Sequence, residues 1–290
     1  MSVPLYILKR TLEAIPLLLI ISVMLFTMLK MAPIDPLAHL KANPAISLAA
    51  IKAEEHRLGL DKPPAVQYFI WLGNIVRGDL GISTTGSSVS QLLMSRAGNT
   101  LLLGFLSVIF TWLIAIPAGV YAAVYRGSWL DKAFSIFTAV GMSMPTFLMA
   151  LLLLMGALAT HALPIGGLTS PDFFDKDLLG QFIDVSQHLV IPVAVLTFIS
   201  IAPIQRQMRG NLLDVLRAEY VRTARAKGLP ENRVIYAHAV RNAINPLITM
   251  LGYEFAFLLS GAALMEKVLA YPGLGLLTLN AVFTQDLNLV

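Results

Sequence analysis

Eight basic side chains fall between residues 206 and 241: Arg206, Arg209, Arg217, Arg222, Arg225, Lys227, Arg233 and Arg241, against Asp214, Glu219 and Glu231. Small and apolar residues, Ala218, Val221, Ala224 and Leu229, are interleaved with them. A loop that needed only solubility has no use for that mixture, whereas a surface shaped to pack closely on a charged partner does. Residues for covalent or metal chemistry are scarce by comparison. The sequence has no cysteine, which removes disulfides, thiolate metal sites and cysteine nucleophiles together. Five histidines (His39, His56, His161, His188, His238) are scattered without ligand-like spacing, so no metal site is expected. His161 and His188 could be imagined beside Asp184, yet no G-x-S-x-G or H-E-x-x-H arrangement accompanies them. There is also no G-x-x-x-x-G-K-[ST] loop to cradle phosphates. No catalytic residue is assigned.

The elements that carry this basic surface follow from composition. Of 290 residues, 57% are hydrophobic and 13% charged, and mean hydropathy is +0.73. Soluble domains sit near about 50% apolar and about 25% charged, so this chain could not cover itself with polar side chains, and the bilayer is the expected solvent. The net charge of +4 does not point to nucleic acid, because the basic residues sit beside apolar runs.

A spanning helix needs about 20 mainly apolar residues. Five stretches qualify: about Thr11 to Leu29, Thr100 to Val124, Ala133 to Thr160, His188 to Pro203 with an extension towards Met208, and Ile244 to Met265. The first is read as a retained anchor rather than a cleaved signal, since Lys30, Pro33 and Pro36 close it and no small-residue cleavage site follows. Leu276 to Val282 starts a sixth apolar run; an odd number of crossings is allowed, and it is also what a chain lacking its last helix would show. Lys and Arg favour the cytoplasmic side of short loops. Lys9 and Arg10 put the N-terminus inside, and Arg126, Lys132 and the basic segment fall on the same side after an alternating count. The loop from His161 to Gln187, with Asp172, Asp175, Asp177 and Asp184 against Lys176, falls outside. The outer segment, about 32–99, contains an apolar face from Leu58 to Val76 that predicts a short amphipathic helix.

Within the basic segment, about 206–244, helix-favouring residues end at Lys227, with Gly228 where a left-handed cap belongs and Pro230 beyond it. A second helix is predicted from Pro230 or Glu231 to about Asn242, with Pro246 opening the next span. One ionisable group, Glu254, lies near the middle of a predicted span. It should face a wet path or a donor on a neighbouring helix, since a lipid-facing carboxylate costs about 2.5–3.5 kcal/mol. Met142, Met144, Met149 and Met155 read as helix packing or a greasy passage, and Gly141, Ser143, Ala150 and Gly156 as close helix contacts.

The string EYVRTARAKGL, Glu219 to Leu229, followed by HAVRNAINP, His238 to Pro246, resembles the cytoplasmic loop of ABC-importer permeases of the peptide and nickel type. LKRTLEAIPLLLIISVMLFTMLKMAPIDP, Leu8 to Pro36, is similar to their B-type subunit, with Ile34-Asp35-Pro36 where Gly-Asp-Pro is common. LGLDKPPAVQYFIWLGNIVRGDLGIS, Leu58 to Ser83, GMSMPTF, Gly141 to Phe147, HLVIPV, His188 to Val193, and the turn Tyr271-Pro272-Gly273-Leu274-Gly275 agree in the same order. Arg222-Thr223-Ala224 replaces the wider family's Glu-Ala-Ala, and the later Ile-x-x-Pro is replaced around His238 to Arg241; peptide-type permeases share both departures. The family usually adds a sixth span and a basic tail. The resemblance implies an all-α polytopic membrane protein with one permease domain over residues 1–290, multi-pass in the bacterial cytoplasmic membrane. It implies peptide import, with a nickel chelate as the alternative cargo and an ion-coupled secondary transporter as the rival class. Its implied partners are a second homologous permease, two ATPase subunits that hold ATP and Mg, and an extracytoplasmic binding protein. The implied coupling residues are Glu219, Tyr220, Arg222, Ala224, Arg225, Lys227, Gly228 and Leu229, with Ala226 for close approach.

Overall fold

The computed structural model describes residues 3–31, 37–42, 45–57, 59–259, 263–286 and 288–290. Pro33, Ile34-Asp35-Pro36 and Leu58 lie outside that set. Among the described residues the chain is helical, and its one extended pairing is an isolated bridge between Ile82 and Ser88. It parts into two compact units, Met1–Ser95 with Leu277–Val290, and Arg96–Leu276.

In the first unit, α1 (Val3–Met31) has no buried residue and is apolar on every side, as a helix solvated by lipid should be. The short helices α2 (Ala38–Lys41) and α3 (Leu48–Arg57) precede α4 (Pro64–Val76), which opens with Pro64 in the first turn, where a missing N–H is harmless. A helix stands where the amphipathic one was expected, but it is apolar on most sides and buries none of its residues. Tyr68 of α4 shares a 2.9 Å hydrogen bond with the Ser22 hydroxyl and receives the Phe26 ring edge-on at 5.4 Å. The turn after α4 is pinned by the buried Asp286 carboxylate, which accepts from the Ser83 hydroxyl, the Thr84 N–H at 2.8 Å and the Thr84 hydroxyl at 3.2 Å.

The second unit is built on two long helices, α5 (Val89–Val124), which enters it at Arg96, and α8 (Leu178–Val215). Between them, the stretch expected as one span from Ala133 to Thr160 is instead two helices, α6 (Trp129–Ser143) and α7 (Thr146–Thr160), bent by 103°. Pro145 is the physical cause: it lacks an N–H and drives Met144 out of the helical region, to φ −90° and ψ 122°. Both α6 and α7 pack on α8. At Gly119, α5 comes so close to α8 that a Cβ would lie 2.8 Å from both the Gln205 carbonyl oxygen and the Met208 Cβ.

Beyond α8 come α9 (Glu219–Ala226), α10 (Glu231–Arg233), a π-helical stretch over Val234–Val240, α11 (Arg241–Ala243), α12 (Asn245–Leu259), α13 (Ala263–Val268) and α14 (Leu274–Phe283). The predicted span from Ile244 to Met265 thus appears as α12 and α13, with residues 260–262 outside the described set. Three described helices, α1, α5 and α8, are long and apolar enough to cross a membrane alone, and α6 with α7 makes a fourth if the bent pair is one span.

Two apolar cores result. One joins Leu103 and Val108 of α5, Ala150 and Ala157 of α7, and Leu189 to Leu196 of α8 to Met265, Leu269 and Tyr271. The other joins Ala115, Val120 and Ala123 of α5 and Ile201, Ile204, Met208 and Leu212 of α8 to Val221, Ala224, Val234, Ala239, Ala243 and Leu247.

Candidate functional site

The second core explains how α9 is held. Val221 and Ala224, one turn apart, are both buried in it, and Leu229 packs partly against it. At about 100° per residue, the opposite face carries Glu219, Arg222, Thr223 and Ala226, all exposed, with Tyr220 and Lys227 on the flanks. The predicted alternation of apolar and basic residues is therefore a helix with one face in its own core and one face free. Gly228, with φ +76°, closes α9 in the left-handed conformation expected, and nothing lies within 4 Å of where its Cβ would be. Backbone alone requires glycine there.

The structure divides the predicted coupling residues into two groups. Ala224 points inward and takes no part in the exposed face. Arg225 sits at the inner edge, where its guanidinium meets the Glu231 carboxylate at 2.7 Å and reaches the Leu216 carbonyl at 3.5 Å. That neighbour holds the Glu231 carboxyl below the usual carboxylate range, so Arg225 ties α9 to α10. Arg222 pairs with Glu219 at 2.8 Å on the open face. The Tyr220 hydroxyl accepts from Asn242 Nδ2 at 2.9 Å, linking α9 to α11. The second helix of the segment, expected as regular from Glu231 to Asn242, widens to π-helical turns over Val234–Val240.

Sequence reasoning missed the polar framework behind this helix. Arg209 of α8 makes a forked pair with Asp131 of α6, at 2.8 and 3.0 Å, and Asp131 also accepts from the Gly127 N–H at 2.9 Å. Ser128 caps α6 by accepting the Asp131 N–H at 3.2 Å. The Ser128-x-x-Asp131 spacing was a readable helix-start signal; the pairing with Arg209, 78 residues on, was not. Asn211 Nδ2 donates to the Ala243 carbonyl at 3.0 Å, fastening the end of α8 to α11.

Three further sites lie away from α9. Glu254 of α12 accepts from the Trp112 indole N–H of α5 at 3.2 Å, the kind of donor on a neighbouring helix that such a carboxylate was expected to meet. The turn from Tyr271 to Gly275 is fastened to α5: the Tyr271 hydroxyl donates to the Asn99 carbonyl at 2.8 Å, Asn99 Nδ2 to the Pro272 carbonyl at 2.9 Å, and the Leu274 N–H to Thr100 Oγ1 at 2.8 Å. Inside it, the buried Glu266 carboxylate accepts the Leu276 N–H at 2.6 Å and lies where a Gly273 Cβ would be. Asp184, beside His188, is taken up by Lys176 at 2.7 Å and the Ser170 N–H at 2.9 Å, and so organises the acidic loop before α8.

Residues 115–290 match the family described as binding-protein-dependent transport system inner membrane component, and residues 4–100 match the membrane-component N-terminal family of the same systems. The chain is 39% identical over 289 residues to the oligopeptide transport system permease protein AppB of Bacillus subtilis, covering 97% of this chain and 88% of that one. It is 36% identical to the glutathione transport system permease protein GsiC of Escherichia coli K12, over 97% and 87% of the two chains. It is 35% identical to the oligopeptide transport system permease protein OppB of Haemophilus influenzae, over 98% and 89%. Apolar spanning helices, a short amphipathic helix following the longest of them, and matches that together cover nearly the whole chain have one reading: it belongs to the binding-protein-dependent transport system inner membrane components, the multi-pass permease subunits of ABC importers.

Proposed function

We propose that the chain is one half of a peptide-translocating permease, driven by ATPase subunits that press on the exposed face of α9. The relatives named above are permeases for oligopeptides and for glutathione, itself a tripeptide, which favours peptide over a nickel chelate. The observation that carries the coupling is the division of α9. Val221 and Ala224 lock it to α5 and α8, while Glu219, Arg222, Thr223 and Ala226 stay open to a partner. A push on the open face is transmitted to α8 through that shared core, through Asn211 and through Tyr220 with Asn242. Such a rigid link lets closure of two ATPase subunits on ATP and Mg tilt the spanning helices and change the side the path faces. This chain supplies no nucleotide site in the proposal; ATP is held by the partners.

The same reading places the N-terminus and α9 in the cytoplasm and the acidic loop outside, pairs the chain with a second homologous permease and two ATPase subunits, and has an extracytoplasmic binding protein deliver the cargo. An ion-coupled mechanism draws little support, because the mid-span carboxylate, Glu254, is engaged by an indole donor. Reconstitution in vesicles separates the two. With the full set of subunits and binding protein, uptake of a labelled tripeptide should require ATP and be absent from the isolated chain. Uptake driven by a proton or sodium gradient without ATP would overturn the proposal.

A further inference from the structure

The first unit carries a partly open cavity of about 430 Å³, within the size of small-molecule sites, about 300–1,000 Å³. Its walls mix apolar and polar side chains and carry both signs of charge. Three of the charged groups are already occupied: Arg57 by Glu54, His56 by Asp61 at 2.8 Å, and Asp286 by Ser83 and Thr84. Two are not. Both are exposed: among the described residues Lys62 forms no ion pair, and Asp79 accepts the Gly81 N–H at 2.9 Å and forms no ion pair. α4 adds the Asn74 amide and the Trp71 indole ring to the same lining. A cation and a carboxylate without ion-pair partners, with an amide and an aromatic ring beside them in one lining, are complementary to one kind of small molecule.

We propose that this cavity binds a short zwitterionic peptide, with Lys62 facing its carboxylate end, Asp79 its ammonium end, Asn74 its peptide groups, and the Trp71 ring packing against its backbone. The inference rests on the peptide reading given above and adds a site on this chain itself, separate from any on a delivering protein. The outer segment then holds peptide on this subunit as well as shaping the surface around it, and it selects for free termini rather than for side chains.

The test uses the complete transporter without its binding protein, in detergent, with trialanine as the probe and saturation-transfer NMR as the readout. Trialanine should bind, and blocking either terminus by acetylation or amidation should weaken binding about tenfold or more. Lys62→Gln should weaken free trialanine to the same extent and be indifferent to amidation; Asp79→Asn, which keeps the acceptor for Gly81, should be indifferent to acetylation. Asn74→Leu should weaken binding with no change in preference for either terminus. Equal binding of free and blocked peptides, or unaltered binding in both charge variants, overturns the site. ATP-driven uptake of trialanine, measured with binding protein in the same preparation, keeps the two claims apart: uptake without binding here sinks only the cavity, and binding without uptake sinks only the transport reading.

Discussion

Glu254 is a residue with two readings, a place on the path or a structural acceptor. Its hydropathy context flags a carboxylate in an apolar helix, and the Trp112 indole, 142 residues earlier, donates to it. Glu254→Gln keeps an acceptor for the indole and should leave thermal stability and uptake nearly unchanged. Glu254→Leu leaves that donor unpaired and should lower stability by about 1–3 kcal/mol, measured by thermal unfolding of the purified complex. Loss of uptake in the Gln variant at full stability would return the residue to the path. Arg225 and Glu231 make a second residue-scale case. The pair is solvent-accessible, so its coupling in a double-mutant cycle should be small, about 0.2–1 kcal/mol. Because the folded protein holds the Glu231 carboxyl below its ordinary range, that stabilisation is present at neutral pH and is lost as pH falls through the carboxylate range. The stability gap between wild type and Glu231→Gln should therefore close towards acid pH; a gap that widens contradicts the assignment.

At the scale of elements, two glycines do different work. Gly119 is required by space, and Gly119→Ala should force α5 from α8 and cost about 1–3 kcal/mol. Gly228 is required by backbone, with open space around it, and Gly228→Val should cost about 1–2 kcal/mol through the left-handed conformation alone. Thermal unfolding ranks both, and Gly228→Ala, with the same backbone problem and less bulk, should behave much like the valine. Only the second glycine was legible in the sequence, because a cap is written in neighbouring residues, in Lys227 before it and Pro230 after it. Gly119 depends on α8, far along the chain. The same contrast runs through the helices. Hydropathy located α1, α5 and α8, whose lengths are a local property. It merged α6 and α7, although Pro145 within GMSMPTF marked the break, since an apolar average does not register a single missing N–H. The widening over Val234–Val240 left no sequence signal; its buried residues Val234 and Ala239 sit in the core shared with α8.

For the molecule as a whole, the orientation and the mechanical link remain to be measured. In this cysteine-free chain, a cysteine at Lys227 should label from the cytoplasmic face and one at Asp175 from the outer face, both being exposed; the reverse pattern would invert the topology. The coupling claim is reached most directly through the open face of α9. Arg222→Glu and Thr223→Trp alter that face without touching Val221, Ala224 or the Arg225 brace. Peptide-stimulated ATP hydrolysis by the assembled transporter is the measurement. It should fall about tenfold or more in both variants, with the melting temperature of this chain unchanged. Undiminished stimulation in both would contradict α9 as the point where ATP hydrolysis drives this permease.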